Sequence, residues 1–131
     1  VEAALKQSIQ TEADFNIIEG AGGWSVPLND HELISEVIRT LKIPTILVVG
    51  IKLGCLNHAI LTQQSILQNE IPFIGWIANR IEPDTLAADD NIETLKKWIK
   101  APLLGVLPYG LENHAVGQWI NIDHLLIQEE D

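Results

Sequence analysis

Cysteine is nearly missing from this chain: Cys55 is the only one in 131 residues. A single thiol excludes an internal disulfide, and neither a thiolate zinc site nor a redox pair can be built from this chain. A reducing compartment such as the cytoplasm fits. Basic residues are scarce, with eight Lys and Arg against 18 Asp and Glu and a formal net charge of -10. Such a field repels a phosphate backbone, so no nucleic acid partner is expected. Long apolar runs are absent too. The longest, Ile43 to Ile51, has about nine residues and contains Pro44, whereas a membrane-spanning helix needs about 20. No membrane segment is expected. The first residue is Val1 instead of Met, and it runs at once into a helical pattern without the basic and apolar regions of a signal peptide. That start suggests a chain that begins mid-protein. No internal repeat, low-complexity tract or domain linker stands out.

What is present belongs to a folded domain. Apolar residues make up 47% and charged residues 20% of the chain, a balance that supports a packed core. At this length, roughly two-thirds of the unfolded surface is buried on folding. Ala3, Ala4, Leu5, Ser8 and Ile9 repeat at helical spacing, and Phe15 to Glu19 then reads as a short strand. Glycines at 20, 22 and 23 end that strand. Asn29 and Asp30 offer a cap for a helix through Leu33, Ile34, Val37, Ile38 and Leu41. Thr45 to Val49 is a continuous β-branched and aliphatic run, as expected of a parallel strand covered on both faces. A turn from Gly50 to Gly54 follows, then a helix over Cys55 to Gln68, a strand over Phe73 to Ala78, a helix over Asp89 to Ile99 and a strand over Leu103 to Leu107. Trp98, with Leu95 and Ile99, reads as the buried face of its helix. Gln128 to Asp131 reads as a solvated tail. The alternation predicts an α/β fold, a parallel sheet flanked by helices and joined by right-handed crossovers.

Ligands of such sheets gather at the C-terminal ends of the strands. Four ends are predicted, at Glu19-Gly20, Gly50-Ile51, Asn79-Arg80 and Pro108-Tyr109. At the first, Glu19 is a carboxylate at a strand tip followed by glycines that let a ligand approach the backbone. It suits a magnesium ion, which favours a few carboxylate oxygens together with water and phosphate oxygens. A plain turn with a solvated Glu19 explains the same residues. At the second, Lys52 and Gly54 lead into a helix whose N-terminal N–H groups suit an anion, with Asn57 in the first turn. Alternatively, Lys52 is a surface lysine, Cys55 a small apolar residue and His58 a solvated or satisfied histidine. At the third, the Asn79 amide carries both a donor and an acceptor, able to read a purine edge or to cap its own turn. At the fourth, Pro108 stops the strand and Gly110 permits an unusual backbone angle, in a loop that either walls a base or only turns. Trp24, Trp76, Trp98 and Trp119 are scattered and need no ligand to explain them.

Taken together, EGAGGWSVPL at Glu19 to Leu28, PTILVVGIKLGCLNHAILT at Pro44 to Thr62, GWIANR at Gly75 to Arg80 and APLLGVLPY at Ala101 to Tyr109 closely resemble the dethiobiotin synthase family. The resemblance runs from about Phe15 to Leu126. It implies a P-loop NTPase-like fold and a homodimer with active sites at the subunit interface. ATP and magnesium are the implied cofactors, and 7,8-diaminononanoate and carbon dioxide the implied substrates. By matching motif, Glu19 would be a magnesium ligand, and Glu19, Gly20, Ala21 and Gly22 would lie beside the nucleotide phosphates, with Gly22 also near the substrate. Lys52, Leu53, Gly54, Cys55 and Asn57 would receive the substrate carboxylate. Asn79 and Arg80 would touch adenine, and Pro108, Tyr109 and Gly110 would frame the base. A gapless match puts Ala115 where the family usually has an acidic nucleotide contact, with Glu112 the nearest acid.

One departure is large. No glycine-rich loop ending in Gly-Lys-Thr precedes any strand, so the backbone nest and lysine that hold ATP phosphates are absent from these residues. Residues 1–131 are therefore expected to form one partial domain, the C-terminal part of a dethiobiotin synthase-like unit, incomplete at the N-terminus and inactive alone. No catalytic residue is assigned within it. Its sheet would leave apolar faces uncovered unless another segment supplies them. Two alternatives use the same residues: an amide-forming enzyme like the cobyrinate or cobyrate synthases, against which KLGCLNHA argues, and a non-catalytic dimerisation or regulatory module.

Overall fold

A computed structural model describes residues 2–10, 12–83 and 87–125. Its centre is a parallel three-stranded sheet in the order β1-β2-β3, with β1 at Thr45–Ile51, β2 at Phe73–Arg80 and β3 at Leu103–Leu107. The register sets Val49 beside Ala78 and Asn79 beside Leu107, which brings the C-terminal ends of β2 and β3 together. The helices are α1 (Glu2–Ile9), α2 (Ile34–Leu41), α3 (Cys55–Gln68) and α4 (Ala88–Trp98). The parallel α/β expectation holds.

The core follows from the helical stripes. Cys55, Ala59, Gln63 and Ile66 fall three or four residues apart on the buried side of α3, and Ala88, Ile92 and Leu95 do so on α4. These two helices pack on each other and on β1. Val49 and Ile51 of β1 and Trp76 and Ala78 of β2 meet them in one cluster. Gln63 is buried there but satisfied. Its Nε2 donates to the Trp98 carbonyl at 3.0 Å, and its Oε1 accepts from Lys100 N–H at 2.5 Å. It therefore ties α3 to the turn that enters β3. The alternate side chains of β1 lack such cover: Ile46 is 38% exposed and Val48 57%. A parallel strand is ordinarily buried on both faces, so β1 presents an open apolar face at the edge of the sheet.

Several expectations are corrected. Phe15 to Glu19 is no strand. Phe15 and Ile17 are exposed, because strand geometry needs a hydrogen-bonded neighbour and the sheet ends at β1. β1 and β2 extend two residues further than read, so Gly50 and Ile51 belong to the strand and the turn narrows to residues 52–54. Asn29 and Asp30 do not cap α2. The Asn29 side chain instead accepts from His31 N–H at 2.9 Å, and Glu36 reaches back to Leu33 N–H, the N-cap residue, at 2.7 Å. Trp98 is not buried. Ala88, Ile92 and Leu95 form the inward stripe of α4, and the extended C-cap residue Ile99 is also buried, whereas Trp98, the last helical residue, is 58% exposed. Gln128 to Asp131 lies outside the described residues.

Gly75 of β2 is a packing requirement. A Cβ there would lie 2.6 Å from Leu104 Cγ and Cδ1, and Leu104 is itself buried. Gly75→Ala is expected to lower stability by about 1–3 kcal/mol through overpacking. Urea unfolding of the variant beside the parent checks it, and an unchanged midpoint contradicts the close β2–β3 packing.

Candidate functional site

The ends of β2 and β3 open onto a cleft of about 320 Å³, near the lower end of the usual range for small-molecule sites. Asn79, Arg80 and Ile81 line it from the β2 side, and Leu107, Pro108, Tyr109, Gly110 and Leu111 from the β3 side. Gly110 turns the chain with φ 71°, a left-handed angle that a glycine adopts without strain. The Arg80 guanidinium is held by Asp89 at the start of α4. Tyr109 is 55% exposed and leaves an aromatic surface at the mouth. Amide, guanidinium and aromatic groups around an apolar floor suit a planar heterocycle that needs both hydrogen bonding and stacking.

The remaining wall was not legible in the sequence. A 3-10 segment, Asn113–Trp119, crosses beside β3 and contributes Asn113 and Val116 to the cleft. Glu112 is exposed and outside the lining, with its carboxylate 3.4 Å from His114 Nδ1. The long-range seat of this segment on β3 determines which of its side chains reach the cleft. The small Gly105 in an otherwise aliphatic strand is the one local hint of that seat.

The turn after β1 builds a different surface. Gly54, at φ 90°, is the N-cap of α3 and supplies no side-chain cap. The first N–H groups of a helix lack intrahelical partners. Here Cys55 N–H already donates to the Lys52 carbonyl at 3.0 Å. The Cys55 side chain is buried in the core, while Lys52, Leu53 and Asn57 are exposed around the helix start. This combination of a cationic side chain and helix N–H groups can hold a carboxylate.

Glu19, Gly20, Ala21 and Gly22 are exposed in irregular chain, with Gly22 at φ 86° and Gly23 at φ 104°. None of them lines the cleft. The Trp24 indole N–H donates to Ser65 Oγ on α3 at 3.0 Å, which docks the segment after this glycine turn on the helix that starts at Gly54. A second hollow of about 260 Å³ lies at this contact, lined by Trp24, Ser25, His58, Leu61, Thr62 and Ser65. Trp24 thus has a packing role that its spacing did not reveal, while His58 is exposed at the rim of this hollow. Among the described residues no group of three or more His, Cys, Asp or Glu side chains could hold a metal. Glu19 alone offers a single exposed carboxylate, which matches the share a protein gives to a magnesium ion whose other ligands are water and phosphate. No described helix is long and apolar enough to cross a membrane.

Several known proteins of similar sequence share a single name. Over 121 residues the chain is 41% identical to the ATP-dependent dethiobiotin synthetase BioD of Aliivibrio salmonicida, covering 91% of this chain and 53% of that protein. It is 48% identical over 106 residues to the protein of the same name from Aromatoleum aromaticum, covering 81% of this chain and 47% of that protein. The corresponding match in Cellvibrio japonicus is 44% over 106 residues, again 81% of this chain, and 46% of that protein. The chain spans about half the length of these curated relatives. Residues 1–114 match the AAA domain family, and the chain belongs to that family.

Proposed function

We propose that the chain is the C-terminal part of an ATP-dependent dethiobiotin synthase of the cytoplasm, working in biotin synthesis as a homodimer. The observation that carries this reading is the cleft, which gathers Asn79, Arg80, Pro108, Tyr109 and Gly110, five positions that the resemblance assigns to the nucleotide, at one end of the sheet. The names of its relatives point to the same activity.

In this reading the substrates are 7,8-diaminononanoate and carbon dioxide. One amine adds to carbon dioxide, losing a proton, and gives a carbamate. A carbamate oxygen takes the γ-phosphoryl group of ATP and ADP departs. The second amine attacks the carbamoyl carbon, phosphate leaves, and the cyclic urea closes with loss of protons. Phosphorylation matters because a carbamate oxygen is a poor leaving group until it belongs to a mixed anhydride. Each part of this chain has a binding or orienting task. The cleft holds the base, and the α3 N-terminus with Lys52 and Asn57 holds the substrate carboxylate, across the dimer from the neighbouring phosphate site. Glu19 would hold magnesium, which when bound offsets charge on the phosphates. Rate then comes mainly from positioning and charge stabilisation.

In this reading the phosphate loop, which these 131 residues lack, is supplied by a part outside them, and the chain alone would be inactive. Ile46 and Val48 on the open face of β1 are exposed, and in this reading the same part would cover them. Turnover by the completed protein tests the reading. Within that protein, Glu19→Gln is expected to lower turnover about 100-fold and to raise the magnesium concentration needed for half-maximal rate. An unchanged magnesium titration removes the metal assignment and leaves the base cleft standing.

A further inference from the structure

The wall formed by Asn113–Trp119 is seated on β3 at its C-terminal end. Gly105 of β3 and Ile120 form an antiparallel bridge, and Asn121 N–H donates to the Leu104 carbonyl at 2.8 Å. A Cβ on Gly105 would lie 2.1 Å from the Trp119 carbonyl oxygen. The segment therefore sits where it does because residue 105 has no side chain. From that seat it turns Asn113 and Val116 into the cleft, while Glu112 stays outside beside His114.

The polar side chains of the lining are Asn79, Arg80, Tyr109 and Asn113, with no carboxylate among them. Arg80 is engaged by Asp89. That leaves the Tyr109 phenol and two carboxamides, and each carboxamide presents one acceptor and paired donors. An asparagine amide matches an adenine edge in a bidentate way, accepting from the exocyclic N6 amino group and donating to a ring nitrogen. At the N7 edge, where this pairing is made, inosine has a carbonyl oxygen in place of the amino group and offers two acceptors, O6 and N7, which one carboxamide cannot match in the same pose.

We infer that Asn113 is a specificity-determining residue of the cleft, reading the 6-amino group of an adenine nucleoside alongside Asn79, and that Gly105 is the positioning residue that holds it there. This rests on the nucleotide reading of the cleft. It adds a contact outside the positions read from the sequence, and it makes the 3-10 segment a selectivity element.

The experiment is an amide chemical-shift titration of the 131-residue chain with adenosine and, separately, inosine, which keeps the phosphate loop out of the measurement. The parent chain is expected to bind adenosine more tightly, with shifts at Asn79, Gly110 and Asn113. Asn113→Ala should weaken adenosine binding by about 3- to 10-fold, leave inosine binding unchanged and so reduce the selectivity ratio by the same factor. Because Asn113 is exposed, its removal should not shift the unfolding midpoint. Gly105→Ala should show the same loss of selectivity with a changed shift pattern over residues 113–121. Should that variant fail to fold, Asn113→Ala decides alone. Adenosine binding with an unaltered ratio in Asn113→Ala overturns the inference and keeps the nucleotide cleft. Binding of neither nucleoside by the folded parent chain removes the cleft's nucleotide reading, and the inference with it.

Discussion

Fused to the half of the Aliivibrio salmonicida dethiobiotin synthetase that it does not span, the chain is expected to hydrolyse ATP only when diaminononanoate and carbon dioxide are supplied. By itself it should show no turnover above background. The expected contrast is at least about 1,000-fold, because loss of even one preorganised donor to a developing charge costs about 100- to 1,000-fold. Here an entire backbone cradle and its lysine are missing. The open side of β1 supplies a structural reason for the dependence. Ile46 and Val48 are exposed on a strand of a kind usually covered on both faces. Joining the halves should cover them, and amide exchange along β1 should slow in the fusion relative to the chain alone. A fusion that is folded and shows slowed exchange, yet makes no dethiobiotin and hydrolyses no ATP, sinks the synthase reading in favour of a non-catalytic module with the same fold.

Much of the sheet was legible because its strands are buried and aliphatic. Thr45 to Val49 and Leu103 to Leu107 lack alternation, and the Cys55 to Gln68 helix carries a clear stripe, so these elements appear close to where the pattern puts them. The same logic failed at Phe15 to Glu19. Its apolar residues suit a strand, but strand formation depends on a neighbour that local sequence cannot supply, and the described sheet has none beyond β1. Trp98 shows a second kind of failure. Neighbouring apolar positions compete for one inward direction, and Ile99 takes it.

The cleft divides along the same line. Asn79, Arg80, Pro108, Tyr109 and Gly110 sit at strand ends, where topology alone suggests a ligand. Asn113 lies in a segment whose placement depends on Gly105, eight positions earlier, and no pattern of helix or strand periodicity contains that contact. The acid nearest this segment in sequence, Glu112, lies outside the lining, and charge is visible in a sequence whereas the direction of a side chain on a 3-10 turn is not.

The tryptophans offer a direct test of how the core supports the cleft. Trp76 is 1% exposed at the centre of β2, and its backbone N–H donates to the Pro102 carbonyl at 2.9 Å, so its indole anchors the strand that ends in Asn79 and Arg80. Trp76→Ala is expected to cost about 3–5 kcal/mol, a large part of the roughly 5–15 kcal/mol that holds a typical domain folded. A loss of that size should show as a large fall in the unfolding midpoint. Trp98→Ala removes an equally large side chain from the surface and should stay within about 0.5 kcal/mol of the parent. Its carbonyl contact with Gln63 is made by the backbone and survives the substitution. Urea titration followed by far-ultraviolet circular dichroism measures both. Equal losses from the two substitutions would contradict the assignment of inward and outward tryptophans. The expected asymmetry would place support for the cleft at the ends of β2 and β3 on the α3 and α4 side of the sheet.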